Sequence, residues 1–229
     1  MKRSILLLAC SIFLASCTAP IRDFTKTQYI NPSFSKETLR SGGLALLPIT
    51  AGQGQEGYRR PLGDYLNQNL KAAINDSRIL TWEQTMDSLN RCSKVKDYED
   101  LITGYKQTSI LSRGKVREIA SALGTRYALL CSLLDYSESK NINYNFLTGL
   151  ETSKTANVSA HCLVIDLENG DVMQEIIGQV VSEAAGFSHN QGYEEYAKIM
   201  AYSILSQLPG SELPPLVIKD RNSFEWNSW

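Results

Sequence analysis

Apolar positions follow two periods along this chain, and the change between them divides it. Leu44 to Ile49 is an unbroken apolar run opened by Gly42-Gly43, the pattern of a strand covered on both faces. After a Gly-rich loop, Leu62, Tyr65, Leu66, Leu70, Ala73 and Ile74 recur at helical spacing, with Pro61 at the favoured first helical position. Arg78 to Thr81 reads as a short second strand, and Thr81 with Gln84 forms a capping box for a helix carrying Met86 and Leu89. Two further helices follow, one with Tyr98, Leu101, Ile102 and Tyr105, the other starting near Ser112, burying Val116, Ile119, Ala120 and Leu123, and stopping at Gly124. Tyr127 to Leu134 is again continuously apolar and reads as a central strand.

Beyond that strand the pattern changes. Val158 to Asp166 and Asp171 to Glu183 are strand-like runs joined by Glu168-Asn169-Gly170, and Asn-Gly is the strongest short-range hairpin signal. Tyr193, Tyr196, Ala197, Met200, Ala201, Ile204 and Leu208 then form one helical stripe that ends before Pro209-Gly210. The expected class is α/β: a mixed sheet with an N-terminal βαβ part, a C-terminal antiparallel hairpin and a final helix packed against the sheet. Residues 17–42 are polar, carry Pro20 and Pro32, and read as a tether or loosely ordered arm to about Leu39, able to reach about 80 Å when extended. Residues 43–210 read as a single domain and 211–229 as a tail with Pro214-Pro215 and the aromatics Phe224, Trp226 and Trp229; no internal repeat is evident.

The start of the chain changes the picture. Lys2 and Arg3 precede an apolar run from Ile5 to Leu14, then Ala15, Ser16 and Cys17. That is a secretory signal, residues 1–16, too short to remain as a spanning helix of about 20 residues. Leu14-Ala15-Ser16-Cys17 resembles the bacterial lipobox. The resemblance implies a thioether from the Cys17 sulfur to diacylglycerol, cleavage just before Cys17, and usually acylation of the new amine. The acyl chains would fix the chain to membrane lipid. Thr18 stands where an Asp would mark inner-membrane retention, so the same resemblance implies the outer membrane, facing the periplasm. An ordinary signal with Cys17 as a plain thiol is the other reading.

Cleavage leaves 213 of 229 residues, with 21 basic against 24 acidic side chains and no run of like charge, so nothing points to nucleic acid. The exported compartment permits disulfides, and Cys92, Cys131 and Cys162 allow one intrachain bridge at most. Cys131 in the central strand and Cys162 in the hairpin could lie on neighbouring strands, where a bridge needs Cα atoms within about 7 Å. Two buried free thiols are the alternative.

Motifs that invite chemistry give way to plainer readings. Gly52-Gln53-Gly54-Gln55-Glu56-Gly57 fits the dinucleotide pattern, with Glu83 a tempting ribose ligand. Tyr58 to Pro61, however, separates Gly57 from the expected helix start, and no cofactor is expected. Arg59 and Arg60 beside this loop could meet an acidic partner or stay a solvated pair. No G-x-S-x-G occurs, Ser188-His189 lacks a third member, and His161 and Cys162, adjacent on a strand, point to opposite faces and cannot chelate one ion together. Glu194-Glu195 suits the first turn of the last helix. Phe224, Trp226 and Trp229 suit a tail that docks in a partner groove or lies at a membrane interface; disorder is the alternative.

Gly43-Leu44-Ala45-Leu46-Leu47-Pro48, Leu62-Gly63-Asp64-Tyr65-Leu66, the junction Arg117-Glu118-Ile119-Ala120-Ser121-Ala122-Leu123-Gly124-Thr125-Arg126-Tyr127-Ala128-Leu129, and Val164-Ile165-Asp166-Leu167-Glu168-Asn169-Gly170-Asp171-Val172 resemble a group of bacterial envelope lipoproteins. The group comprises the curli secretion lipoprotein CsgG, the penicillin-binding-protein activator LpoB and the N-terminal domain of TolB. The likeness spans residues 43–183. It implies a non-enzymatic accessory or assembly factor of an envelope machine for secretion, polysaccharide export or wall synthesis, working by contact with envelope proteins and often as a homo-oligomer. The alternative within the group is a pore-forming secretion channel whose amphipathic hairpins would map to residues 140–155. That stretch holds Asn141, Asn143, Asn145, Glu151 and Lys154 with Tyr144, Phe146, Leu147 and Leu150 and reads as one poor transmembrane strand candidate at most, with no second following.

Overall fold

The computed structural model describes residues 21–75, 77–145, 149–185, 192–214 and 216. In chain order the elements are β1 (Ile21–Asp23), β2 (Lys26–Ile30), α1 (Lys36–Gly42), β3 (Leu44–Leu46), β4 (Thr50–Ala51), a 3-10 turn (Glu56–Tyr58), α2 (Arg59–Ala73) and β5 (Ile79–Leu80). There follow α3 (Trp82–Arg91), α4 (Val95–Thr108), α5 (Arg113–Leu123), β6 (Tyr127–Asn145), β7 (Gly149–Asp166), β8 (Val172–Ala185) and α6 (Tyr193–Ser206). One open mixed sheet runs β1-β8-β7-β6-β3-β5, with β2 continuing β1 along β8 and β4 continuing β3 along β6. Pairings of β3 with β5 and of β3 and β4 with β6 are parallel; the rest are antiparallel. The expected α/β class, the N-terminal βαβ part, the antiparallel hairpin and the final helix on the sheet are all present.

Alternation along the central strands builds two cores. Leu44, Leu46, Leu129, Cys131, Ala160, Cys162 and Val164 face α2 and α6, meeting Leu62, Leu66, Leu70, Met200 and Ile204. Ala45, Leu47, Ala128, Leu130, Leu163 and Ile165 face α3, α4 and α5, meeting Leu89, Leu101, Val116, Ile119 and Leu123. Neighbouring residues on a strand thus serve opposite layers, which is why these runs are apolar throughout. Gly178 on β8 permits a close approach, because a Cβ there would stand 2.3 Å from the Met200 sulfur of α6.

Local signals explain the boundaries. The Thr81 hydroxyl accepts from the Gln84 amide at 3.4 Å while the Gln84 side chain accepts from the Thr81 amide at 3.0 Å, the expected capping box. Helix α5 stops at Gly124, φ +62°.

Several expectations are corrected. The polar arm is folded from Ile21 onward: β1 and β2 lie along β8, and Asp23 accepts a hydrogen bond from Ser203 of α6. Pro48 splits the first strand into β3 and β4, since it has no N–H for the ladder. Helix α2 begins at Arg59, so Pro61 is its third residue, still in the turn whose N–H groups lack helical partners. Asn169-Gly170 marks the hairpin, but only Gly170 has positive φ, +74°, and the loop is closed by Asp166 rather than by a two-residue turn. Finally, β6 continues eleven residues past Leu134, and residues 140–145 and 149–155 pair as two arms rather than giving one poor strand, with Phe146 and Leu147 outside the described residues.

Candidate functional site: the long hairpin and its base

Past the bulge at Leu134, Asp135 to Asn145 pairs residue for residue with Ser159 to Gly149. Strand β8 accompanies this ladder only to Ser153, opposite Ala185, so the last rows form a two-stranded arm. Alternation sorts the arm into unlike faces. Tyr136, Glu138, Lys140, Ile142 and Tyr144 share the α6 side with Val158, Ala156 and Lys154, while Ser137, Ser139 and Asn141 share the other with Asn157, Thr155 and Ser153. Near the end of the arm, Ile142 is 58% and Tyr144 75% exposed.

The base is held by aromatic packing. Tyr136 and Tyr193 meet at 4.7 Å between ring centroids, and Tyr58 meets them at 4.5 and 4.7 Å. The Tyr136 hydroxyl donates to Glu138, the Gln55 amide donates to the Tyr136 carbonyl at 3.2 Å, and Thr50 and Ser132 hydroxyls pair at 2.6 Å. Burial pushes the Tyr136 and Tyr193 hydroxyls above the usual tyrosine range, and Glu138 adds to the effect at Tyr136.

The residues singled out from sequence do not converge on one place. Cys131 and Cys162 are register partners inside the core, with Cα atoms 4.1 Å apart and sulfur atoms at bonding distance. Arg59 and Arg60 lie exposed in the first turn of α2, where Arg60 reaches Asp64 at 3.8 Å. Gly57 is in the 3-10 turn directly before that helix, nearer than expected, yet a Cβ there would meet nothing within 4 Å. The tight helix–strand packing that demands the third glycine of a dinucleotide loop is therefore not what Gly57 serves. Cys17, Ser188, His189, Phe224, Trp226 and Trp229 lie outside the described residues. Among the described residues there is no group of three or more His, Cys, Asp or Glu placed to hold a metal, and no helix long and apolar enough to cross a membrane.

Sequence reasoning missed three features. His161 is hydrogen-bonded to Glu175 at 2.8 Å and to Tyr105 at 3.3 Å, a polar link between the sheet and α4. Asp166, 1% exposed, takes Arg126 at 3.1 and 3.2 Å and accepts the amides of Glu168 and Asn169 at 2.9 and 3.3 Å. The Val-Ile-Asp motif thus has a physical reason for its Asp. The shared exposed face of Ile142 and Tyr144 is the third, and two residues spaced by two on an otherwise polar stretch are too few to signal it.

No family model and no curated protein matches the chain. Among solved structures it is similar to the PelC dodecamer from Paraburkholderia phytofirmans, at 16% identity and TM-score 0.45, covering 84% of this chain and 98% of that one. It is similar also to lipoprotein GNA1162 from Neisseria meningitidis, at 12% identity and TM-score 0.37, covering 72% and 96%. A third is the LpoB C-terminal domain from Escherichia coli, at 12% identity and TM-score 0.32, covering 60% and 82%.

Proposed function

We propose that this chain is a lipoprotein, acylated at Cys17 in the outer membrane and facing the periplasm, that acts without catalysis as an accessory or assembly factor of an envelope machine. The observation that carries the reading is how near the lipobox lies to the sheet in sequence: Ile21, in strand β1, is only four residues after Cys17. Work by contact is supported by the β1–β2 edge, unpaired on its outer side among the described residues, where Tyr29 and Ile30 of β2 and Phe24 just before it are exposed, and by the exposed Ile142 and Tyr144 of the hairpin. Homo-oligomerisation through such surfaces is part of the proposal. A Cys17→Ala variant should leave the membrane fraction, and intact mass should show residue 17 acylated in the parent; membrane retention by the variant would sink the placement. Light scattering of the purified lipoprotein should give a mass above one chain, and a monomer would remove the assembly role.

The pore-forming alternative gains from the paired arms, which have transmembrane length. Its chemistry is poor, because Glu138, Lys140 and Lys154 lie midway along the face that would meet lipid. Conductance across vesicles by purified protein would favour it nonetheless. Within the envelope, Cys131 and Cys162 are proposed as a bridge, and a linked peptide pair in a non-reducing digest is the expected result.

A further inference from the structure

The β6–β7 hairpin has an unexplained feature: two large side chains, Ile142 at 58% and Tyr144 at 75% exposure, on one face of its outer rows. Register says where those rows lie. Ile21 is opposite Ser182, which is opposite Ala156, so the first residue of β1 and the middle of the hairpin share one row. Since β1 runs antiparallel to β8, its N-terminal end faces the hairpin's end of the sheet. Thr152, the partner of Ile142, is four residues beyond Ala156, about 13 Å at roughly 3.3 Å per residue. Cys17 is likewise four residues from Ile21, so its sulfur lies at most about 14 Å from the same row. The tether is thus just long enough to bring an acylated Cys17 level with Ile142, and any slack brings the bilayer nearer the sheet.

From this, and resting on the acylation of Cys17, the geometry points to the Ile142–Tyr144 face of the hairpin as a second membrane contact, laid into the interface of the bilayer that holds the acyl chains. The side chains suit that depth. Tyr144 offers an apolar ring with a polar tip. Lys140, exposed one step nearer the body on the same face, reaches the anionic headgroup layer. Ser137, Ser139 and Asn141 keep the opposite face in water. Lys140 and Glu138 also set the limit, since a charged side chain at the bilayer midplane is strongly unfavourable. The hairpin dips and does not span. One acyl chain binds reversibly and a second signal makes binding firm; here the second signal also fixes orientation, holding the sheet with the β1–β2 edge presented sideways.

The test uses the full lipidated chain in phosphatidylethanolamine–phosphatidylglycerol vesicles. In a Cys92→Ser background, Tyr144→Cys or Ser137→Cys carries an environment-sensitive fluorophore, Cys131 and Cys162 being buried and paired and Cys17 acylated. On reconstitution the probe at 144 should shift to the blue and lose emission to a lipid bearing a nitroxide near its headgroup, while the probe at 137 does neither. Vesicle-bound protein with a water-like probe at 144 overturns the inference while leaving the anchor intact. A blue shift at 144 indifferent to the nitroxide lipid overturns it in favour of a second copy covering the face. Equal quenching at both positions with conductance overturns it in favour of a pore. An unmodified Cys17 by intact mass removes both the anchor and the contact.

Discussion

Strands β6 and β7 contain two halves that share one continuous ladder and differ in everything else. From Tyr127 to Leu133, and from Ala160 to Asp166, side chains alternate between the two cores and Leu129, Leu130, Val164 and Ile165 are fully or almost fully buried. From Ser139 to Ile142 every side chain is exposed. Burial at about 25 cal/mol per Å² stabilises the first half; the second keeps Ala156, Val158 and the Tyr58–Tyr136–Tyr193 contact at its root, and beyond them has backbone hydrogen bonds, worth little net in water. What differs between the halves is therefore how much burial supports the ladder: the first half builds the cores, and the outer rows of the second leave Ile142 and Tyr144 exposed.

That contrast is broken most directly where burial is greatest. Leu129→Ala, at a site 0% exposed between α2 and α6, should cost about 3–4 kcal/mol in urea unfolding through lost transfer energy and the cavity left behind. A cost below about 1 kcal/mol would mean that the proximal half is not packed as described. Asp166→Ala comes next, at about 2–3 kcal/mol. It orphans the Glu168 and Asn169 amides at the β7–β8 loop and strips Arg126 of its carboxylate. Arg126 itself is partly solvated, so its share is the smaller. Hydrogen exchange at the loop should rise more than exchange in β6.

The same contrast governs what could be read from sequence. Strand β3, helices α2 and α5, the start of β6 and the stripe of α6 each announce themselves because a buried face forces apolar side chains into a period, and Thr81-x-x-Gln84 announces a helix start through its own hydrogen bonds. The β1–β2 edge and the distal hairpin impose no such demand. On Ile21 to Ile30 one face meets α6 and the other meets water, and Thr27 faces in by bonding Gln207 rather than by being apolar. From Ser139 to Ile142 the side chains on both faces are exposed, so the stretch looks like an Asn- and Ser-rich loop. Of the candidate site, Cys131 and Cys162 were legible as neighbours because both lie in strong strands. The hairpin's apolar end was not, because two residues spaced by two make no period by themselves.

Excising the arm tests whether it serves the fold. Replacing residues 139–155 with Asn-Gly leaves Glu138 and Ala156, already register partners, flanking a two-residue turn of the favoured kind. Both cores, the Cys131–Cys162 pair and the tyrosine contact remain, so stability should fall by less than about 1 kcal/mol by chemical denaturation. A loss comparable to that of Leu129→Ala would show that the arm is part of the cooperative body and would erase the distinction between the halves.

The finest test separates the ladder from its surroundings. Lys140 stands directly opposite Lys154, and opposite charges at such a position strengthen a sheet pair by some tenths of a kcal/mol. Lys140→Glu should therefore strengthen the arm by about 0.3–0.5 kcal/mol, seen as slower amide exchange from Ser139 to Asn143 in the protein held in neutral detergent. In vesicles containing phosphatidylglycerol the same change removes a cation from the headgroup layer, worth about 1 kcal/mol, and places an anion there. Emission of a fluorophore at position 144 should then move back towards its value in water. Opposite signs in the two media would mean that this lysine pair is held against its own ladder by something outside the chain, whereas parallel changes would assign it to the hairpin alone.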